Sequence, residues 1–490
     1  LPVLRVSPAQ GTGLTVARRI NPIAVLVLLA AVPAVGLGAF WRFADARRPP
    51  PVVQPIAPDP ATMPAPMTTP LLSVRRAPGV LSREVNTAAL QAALQPLLAA
   101  VDDSRCFALA VDGQLVAAKN ETVPLSPASN LKILTAAVAL DVLGPGFTYT
   151  TKVVGTAGAD GVVNGDVYLV GGGDPVLASA WWNGLSKYPP FNETSFESLA
   201  DAIQQHGITK ITGKLIGDGS RYDDEYFAPT WANADHLTEA GPIDALLAND
   251  SWQTTKVAAK DPALGAASVL RDMLVARGIS VGDVGTGVST GGATIAEVQS
   301  QPLPAILAEM LTTSDNNTSE MVLKEIGYTA KGQGTRPAGL QVVMEKLTAW
   351  GVPTAGINLV DGSGLSDANR LTCAAILGVL EHGSATDAVG EGMPVAGKEG
   401  GTLVDVFAGT PLAGKLHGKT GSLNPNCNPG QLGAKSLGGY VPEAGGGAIE
   451  FVLLQNGECI AKNYRPLWDQ LAAALAPYPT GPTPETLAPR

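Results

Sequence analysis

The sequence holds only four cysteines and four histidines in 490 residues. Neither Cys-x-x-Cys nor His-Glu-x-x-His occurs, so the usual ligand spacings of structural and catalytic zinc are missing, and we expect no metal and no cofactor. Charged residues make up just 16% of the chain, few for a soluble protein, and basic ones are not in excess, since the net charge is −10. Without surplus cations to neutralise phosphates, general nucleic-acid binding is excluded. Gly171-Gly172-Gly173 invites a phosphate-loop reading, but neither Gly-Lys-Ser/Thr nor a Gly-x-Gly-x-x-Gly pattern accompanies it. Glycine (56) and proline (39) are plentiful, and the length leaves room for two or three domains.

Between Arg19 and Arg42 lie 22 residues without a charge. As a helix they would span about 33 Å, enough for a bilayer. Arg5, Arg18 and Arg19 precede this run, and Phe40-Trp41 suits an outer interface. A cleaved signal peptide is the alternative, with Ala44-Asp45-Ala46 as a small-residue cleavage site, but the run is long for that role. We therefore expect residues 1–48 to be a cytoplasmic stub and transmembrane signal-anchor, with the remainder exported. Ten prolines between Pro49 and Pro78 predict an extended tether over residues 49–80, and the Pro-rich tail 477–490 is expected to be disordered.

The globular part opens with helical periodicity from Ser82 to Val101. A hairpin follows, Cys106 to Val111 and Gln114 to Lys119, joined by the turn-forming pair Asp112-Gly113. Next comes the stretch around which the chain is organised, Pro124 to Leu143. It contains Ser129-Asn130-Leu131-Lys132, the one Ser-x-x-Lys of the sequence, ahead of an apolar helical run. Ser126 suits an N-cap and Pro127 the first helical position, which places Ser129 in the first turn and Lys132 on the same face. Backbone N–H groups in a first turn have no intrahelical partner and can hold developing negative charge near the Ser129 hydroxyl. From Gly144 the pattern turns β-rich, and residues 144–299 show no catalytic cluster. Ser314-Asp315-Asn316 then follows a helix, Asp361-Gly362-Ser363-Gly364-Leu365-Ser366 forms a turn-rich loop, and Lys419-Thr420-Gly421-Ser422 lies on a strand-like run.

Singly these motifs say little; the ordered set Ser-x-x-Lys, Ser-x-Asn, Lys-Thr-Gly on a helix start, a loop and a strand is specific. The chain resembles penicillin-binding proteins, and within them the type-4 class C low-molecular-weight D-alanyl-D-alanine carboxypeptidases and endopeptidases. Val167 to Pro175, Gly207 to Asp223, Asp361 to Ser366 and Met393 to Leu403 support the narrower assignment. So does the long interval between Ser129 and Ser314, which fits that group's large insertion.

The resemblance implies an α/β (α+β) transpeptidase-like serine hydrolase domain, an antiparallel sheet flanked by helices, built from residues 81–143 and 300–476, with 144–299 as inserted β-rich domain or domains. It implies a penicillin-sensitive D,D-carboxypeptidase of the bacterial cell envelope, acting on peptidoglycan stem peptides, with endopeptidase action as a further activity and β-lactam antibiotics as covalent inhibitors. Ser129 would be the nucleophile and Lys132 its base, provided burial and nearby cations such as Lys419 lower the lysine pKa. Ser314 would relay a proton to the leaving amine, and Asn316 would orient Lys132 and the substrate amide. Lys419 would supply a positive field, while Thr420, Gly421 and Ser422 bind substrate. The oxyanion hole would be the backbone N–H groups of Ser129 and Ser422. Asp361 and Ser363 are read as turn formers. A serine β-lactamase and a catalytically silent peptidoglycan-binding scaffold are the alternatives. If the strands lie as in the family's sheet, Cys106, Cys427 and Cys459 crowd one end, and a disulfide involving Cys459 is expected, with Cys427 ahead of Cys106 as its partner. The sequence leaves the oligomeric state open.

Overall fold

The computed structural model describes residues 22–47, 76–185, 191–443 and 447–488. The expected cytoplasmic stub and nearly all of the Pro-rich tether lie outside these residues. The chain divides into Leu1–Pro70 with Arg490, and Leu71–Pro489. In the first unit Pro22–Asp45 is a helix with Pro33 inside it, and Val32, Val35, Leu37, Phe40 and Trp41 on it are exposed. Among the described residues no helix is long and apolar enough to cross a membrane; the side chains of this helix are described only from Ala31 to Ala44.

The second unit is built on a five-stranded antiparallel sheet in the order His417–Leu423, Gly433–Pro442, Ala448–Gly457, Arg105–Val111, Gln114–Lys119. The hairpin turn falls on Asp112 (φ 50°) and Gly113 (φ 70°), the two positive φ values that let a two-residue turn follow the strand twist. Side chains alternate across this sheet. Cys106, Ala108 and Ala110 face a core shared with helices Leu131–Leu143, Leu303–Thr313, Asn316–Lys331 and Cys373–His382. Phe107, Leu109 and Val111 face a second core with helices Pro78–Ala93 and Arg465–Leu475. This is the α+β arrangement expected, a sheet between two helical layers.

Two expectations fail here. The tail does not trail away: the carbonyl of Pro482 accepts from Ser82 Oγ (2.8 Å), and Gly481 N–H donates to the Asn86 side chain. Pro484–Leu487 forms a short helix. Ser82 and Asn86, both buried on helix Pro78–Ala93, supply the polar partners that hold an otherwise apolar-poor segment. The disulfide is Cys106–Cys373, while Cys427 and Cys459 are free thiols. Alternation puts Cys106 on the face that meets the start of helix Cys373–His382, so its partner comes from that helix.

The β-rich region leaves and rejoins the sheet domain at one place. Tyr149 N–H donates to Ser300 Oγ at 3.0 Å, and Ser300 N–H donates back to the Tyr149 carbonyl at 2.9 Å. Beyond that point Thr150–Gly155 pairs antiparallel with Ala293–Gln299 inside a mixed five-stranded sheet. Helices Phe196–Gln205 and Pro262–Ala276 close a separate core over it. The segment Arg221 to Tyr226 leaves this sheet and grips the helix Asn316–Lys331: Arg221 pairs with Glu325 (2.6 Å), Lys324 with Asp223, and Tyr222 OH donates to Glu325 at 2.9 Å. Glu325 and Lys324 are fully buried, so losing either partner would leave a desolvated charge.

Candidate active site

The turn that carries Ser129 differs from the helix start expected for it. Ala128–Asn130 is a 3₁₀ turn and the α-helix begins at Leu131. Ser126 does not cap it: no side-chain cap bond is made there, and the backbone of Ser126 is tied to the Asn456 side chain (2.7 and 3.0 Å). Ala128 sits at φ 46°, a region that costs a residue with a Cβ about 1–3 kcal/mol. The strained turn is held by the sheet. Asn130 Nδ2 donates to the Lys419 carbonyl (3.0 Å) and to Ser436 Oγ (2.7 Å), and Ser436 Oγ donates to the Pro127 carbonyl at 2.7 Å.

Close approach of the Lys-Thr-Gly strand to this turn requires Gly421. A Cβ there would lie 2.1 Å from Ser436 Oγ and 2.8 Å from the Pro127 carbonyl oxygen. His417–Leu423 is the sheet's edge strand, so only its inner side is paired with a neighbouring strand.

Lys132 lies fully buried, with its ammonium nitrogen 3.2 Å from Ser129 Oγ, 2.6 Å from Asn316 Oδ1 and 2.8 Å from the Ser363 carbonyl. Asn316 in turn donates its Nδ2 to the Glu239 carbonyl at 2.8 Å. On the far side Lys419, also fully buried, donates to Ser314 Oγ (2.8 Å) and to its neighbour's carbonyl, that of Thr420 (2.9 Å). Ser314 closes helix Leu303–Thr313 in the left-handed conformation (φ 66°), which swings its hydroxyl toward Lys419. The cap of the following helix is Asp315, whose side chain accepts from Thr318 N–H. Thr420 Oγ1 is hydrogen-bonded to Thr402 Oγ1 at 2.9 Å, and Ser422 is exposed at the strand's end. The structure thus brings Ser129, Lys132, Ser314, Asn316, Lys419, Thr420 and Gly421 into one cluster, with Ser422 on its rim.

Burial is what depresses the Lys132 pKa, to about 8, because a low-dielectric site disfavours the ammonium form. The carboxylates of Asp315, Asp361, Glu320 and Glu239 oppose that shift. Repulsion between the two lysines is expressed on Lys419 instead: burial first, then the Lys132 charge, push it well below the ordinary ammonium range. Of the two causes expected for the Lys132 shift, burial is therefore the one at work, and Lys419 is not.

Sequence reasoning missed several members of this cluster. Asn130 lies inside the Ser-x-x-Lys motif itself, and Thr402 lies in the stretch Met393 to Leu403, yet neither carries a signal without its tertiary partner. Glu320 was readable only as one more carboxylate on the helix Asn316–Lys331. Asp361 does shape the turn, as expected: its carboxylate accepts from Gly364 N–H, Ser366 N–H, Asn369 Nδ2 and Trp231 Nε1 at 2.7–2.9 Å.

Two serines and two buried lysines, brought by a helix start, a helix end and an edge strand onto an antiparallel sheet, define a serine hydrolase of the penicillin-binding fold. The model of the D-Ala-D-Ala carboxypeptidase 3 (S13) family matches residues 88–256 and 245–476, and the chain belongs to that family. It is 31% identical to "Carboxypeptidase DacB" of Mycolicibacterium smegmatis, over 92% of this chain and 95% of the relative. It is 30% identical to "D-alanyl-D-alanine carboxypeptidase" of Actinomadura sp. strain R39, over 74% of this chain and 78% of the relative. The crystal structure of penicillin binding protein 4 from Haemophilus influenzae has the same fold, with a TM-score of 0.64 at 20% identity, covering 77% of this chain and 99% of that one.

Proposed function

We propose that this chain removes the terminal D-Ala from peptidoglycan stem pentapeptides through an acyl-enzyme on Ser129. The observation that carries this reading is the pair Ser129 Oγ and Lys132 Nζ, 3.2 Å apart, with the lysine pKa brought to about 8 by burial. A lysine so depressed is partly neutral near physiological pH and can accept the serine proton as the oxygen attacks.

The steps follow from the positions. The substrate carboxylate enters beside Lys419, Thr420 and Ser422, and its negative charge favours the protonated form of Lys419. Ser129 Oγ attacks the carbonyl carbon between the two D-Ala residues, and its proton passes to Lys132. The oxyanion is held by the backbone N–H groups of Ser129 and Ser422. As the C–N bond breaks, Ser314, fed by Lys419, delivers a proton to the departing amine. Water then cleaves the ester on Ser129 and restores the hydroxyl. A β-lactam follows the first half: its strained amide opens on Ser129, and the ring nitrogen takes the proton while staying attached, so no leaving group departs.

Endopeptidase action on cross-linked peptides is a second reaction of the same chemistry, needing only a longer group on the amine side. We further propose that the protein acts outside the cytoplasmic membrane, held there by the uncharged run before Arg42; membrane fractionation of full-length and truncated chains tests this. The activity test incubates the protein with labelled penicillin and with a pentapeptide ending in D-Ala-D-Ala. Stable label and released D-Ala, both lost in Ser129→Ala, support the reading. Rapid turnover of the penicillin would identify a β-lactamase, and the absence of both label and D-Ala a silent scaffold.

A further inference from the structure

The base Lys132 rests on a carbonyl, that of Ser363, and the placing of that carbonyl is built from buried charge. Glu320 has no exposed surface. Its Oε1 accepts from two consecutive backbone N–H groups, Gly362 (2.9 Å) and Ser363 (2.8 Å). Its Oε2 accepts from Arg336 Nε at 2.8 Å. The carbonyl of Gly362 is fixed at the same time by Thr135 Oγ1 and Ser319 Oγ, both at 2.7 Å. A Cβ on Gly362 would meet Leu323 Cβ at 2.9 Å, so the loop rides directly on the helix that bears Glu320.

Arg336 is itself 2% exposed and held from the other side by the inserted region. It donates to the Glu225 carbonyl (2.7 Å), to Glu225 Oε1 (2.9 Å) and to the Tyr226 carbonyl (3.3 Å), and stacks over Trp231 at 5.1 Å. Trp231 bonds Asp361, the first residue of the same loop. A continuous run of contacts therefore leads from the insertion, through Arg336 and Glu320, to the atom that anchors the base.

We propose that Glu320 is a positioning residue for Lys132: its carboxylate, clamped by Arg336, holds the Gly362-Ser363 amides so that the Ser363 carbonyl fixes the lysine nitrogen on Ser129. This rests on the reading of Lys132 as the base. It also gives the insertion's Arg221 to Trp231 segment a part in the reaction, as the support of that clamp. The charged groups facing Lys132 are Asp315 at the helix cap, Glu320 on the helix, Asp361 in the loop, Glu239 on the insertion and Lys419 on the edge strand.

The experiment measures the rate of Ser129 acylation by a chromogenic β-lactam against pH, with melting temperature alongside, in the full chain. Glu320→Gln removes one of the negative charges that favour the ammonium form, so the acid limb of the rate moves to lower pH by roughly one unit. Glu320→Asp keeps the charge but withdraws it from the two amides; the plateau rate drops about 100-fold, as for a catalytic group displaced by an ångström, and the limb stays in place. Arg336→Lys lowers the melting temperature while leaving the limb where the parent has it. A parental plateau rate in Glu320→Asp overturns the proposal, because the carboxylate would then have left the two amides without displacing Lys132, and this outcome decides whether or not Glu320→Gln folds. A parent protein that is not acylated on Ser129 refutes the functional reading instead.

Discussion

Lys419 donates a 2.8 Å hydrogen bond to the hydroxyl of Ser314, two side chains that come from an edge strand and the end of a helix. That bond links the residue expected to deliver a proton to the leaving amine with the cation expected to attract the substrate carboxylate. Ser314→Ala should lower kcat for D-Ala release by about 100- to 10,000-fold, the range for removing a general acid, while penicillin acylation suffers less because strain in the four-membered ring drives its C–N cleavage. Steady-state kinetics on a pentapeptide set against burst labelling with penicillin distinguishes the two effects.

The pH dependence of the free protein should follow Lys132. Its pKa near 8 lies below that of an ordinary lysine, and only the neutral amine accepts a proton, so the rate of Ser129 acylation should rise with pH and level off above about 8. Stopped-flow acylation between pH 6 and 10 reads this limb, on the order of one decade of rate per pH unit below it. A limb near that of an unburied lysine would contradict the assignment.

Gly421 predicts a steric effect at a distance from the chemistry. With a methyl group 2.1 Å from Ser436 Oγ, Gly421→Ala must push the edge strand from the Ser129 turn. We expect a stability loss of about 1–3 kcal/mol and a larger loss of acylation rate, since the strand also presents Thr420 and Ser422. Denaturant unfolding and penicillin labelling on the same sample check both.

Peptide mapping without reduction should recover Cys106 joined to Cys373 and find Cys427 and Cys459 open to alkylation. Cys373→Ser removes a link across 267 residues and should cost about 2–5 kcal/mol, leaving D-Ala release measurable at low temperature.

The lysines and serines of the cluster could be read in the sequence because each sits in a short motif whose spacing fixes a local geometry. The sheet hairpin was equally legible at Asp112-Gly113, where the turn chemistry admits few alternatives. Other features depended on contacts between segments far apart in the chain. Ser126 has the right chemistry for a cap, but the helix opens with a 3₁₀ turn that starts after Pro127 and takes no side-chain cap. Cys106 could have met any of three partners until the strand's face was known. Glu320 looks like one more helical carboxylate until the loop at Gly362 closes over it. The tail, rich in proline, was read by composition, and its order comes from Ser82 and Asn86, residues nearly 400 positions away.

The proposed acyl-enzyme on Ser129 is the step on which the other predictions about activity depend. Mass analysis of the intact protein after brief exposure to penicillin, followed by peptide mapping, tests it directly. One penicillin adduct is expected, on the peptide containing Ser129, absent from Ser129→Ala along with release of D-Ala from a pentapeptide. An adduct on another residue, or D-Ala released at the parental rate by Ser129→Ala, would contradict it.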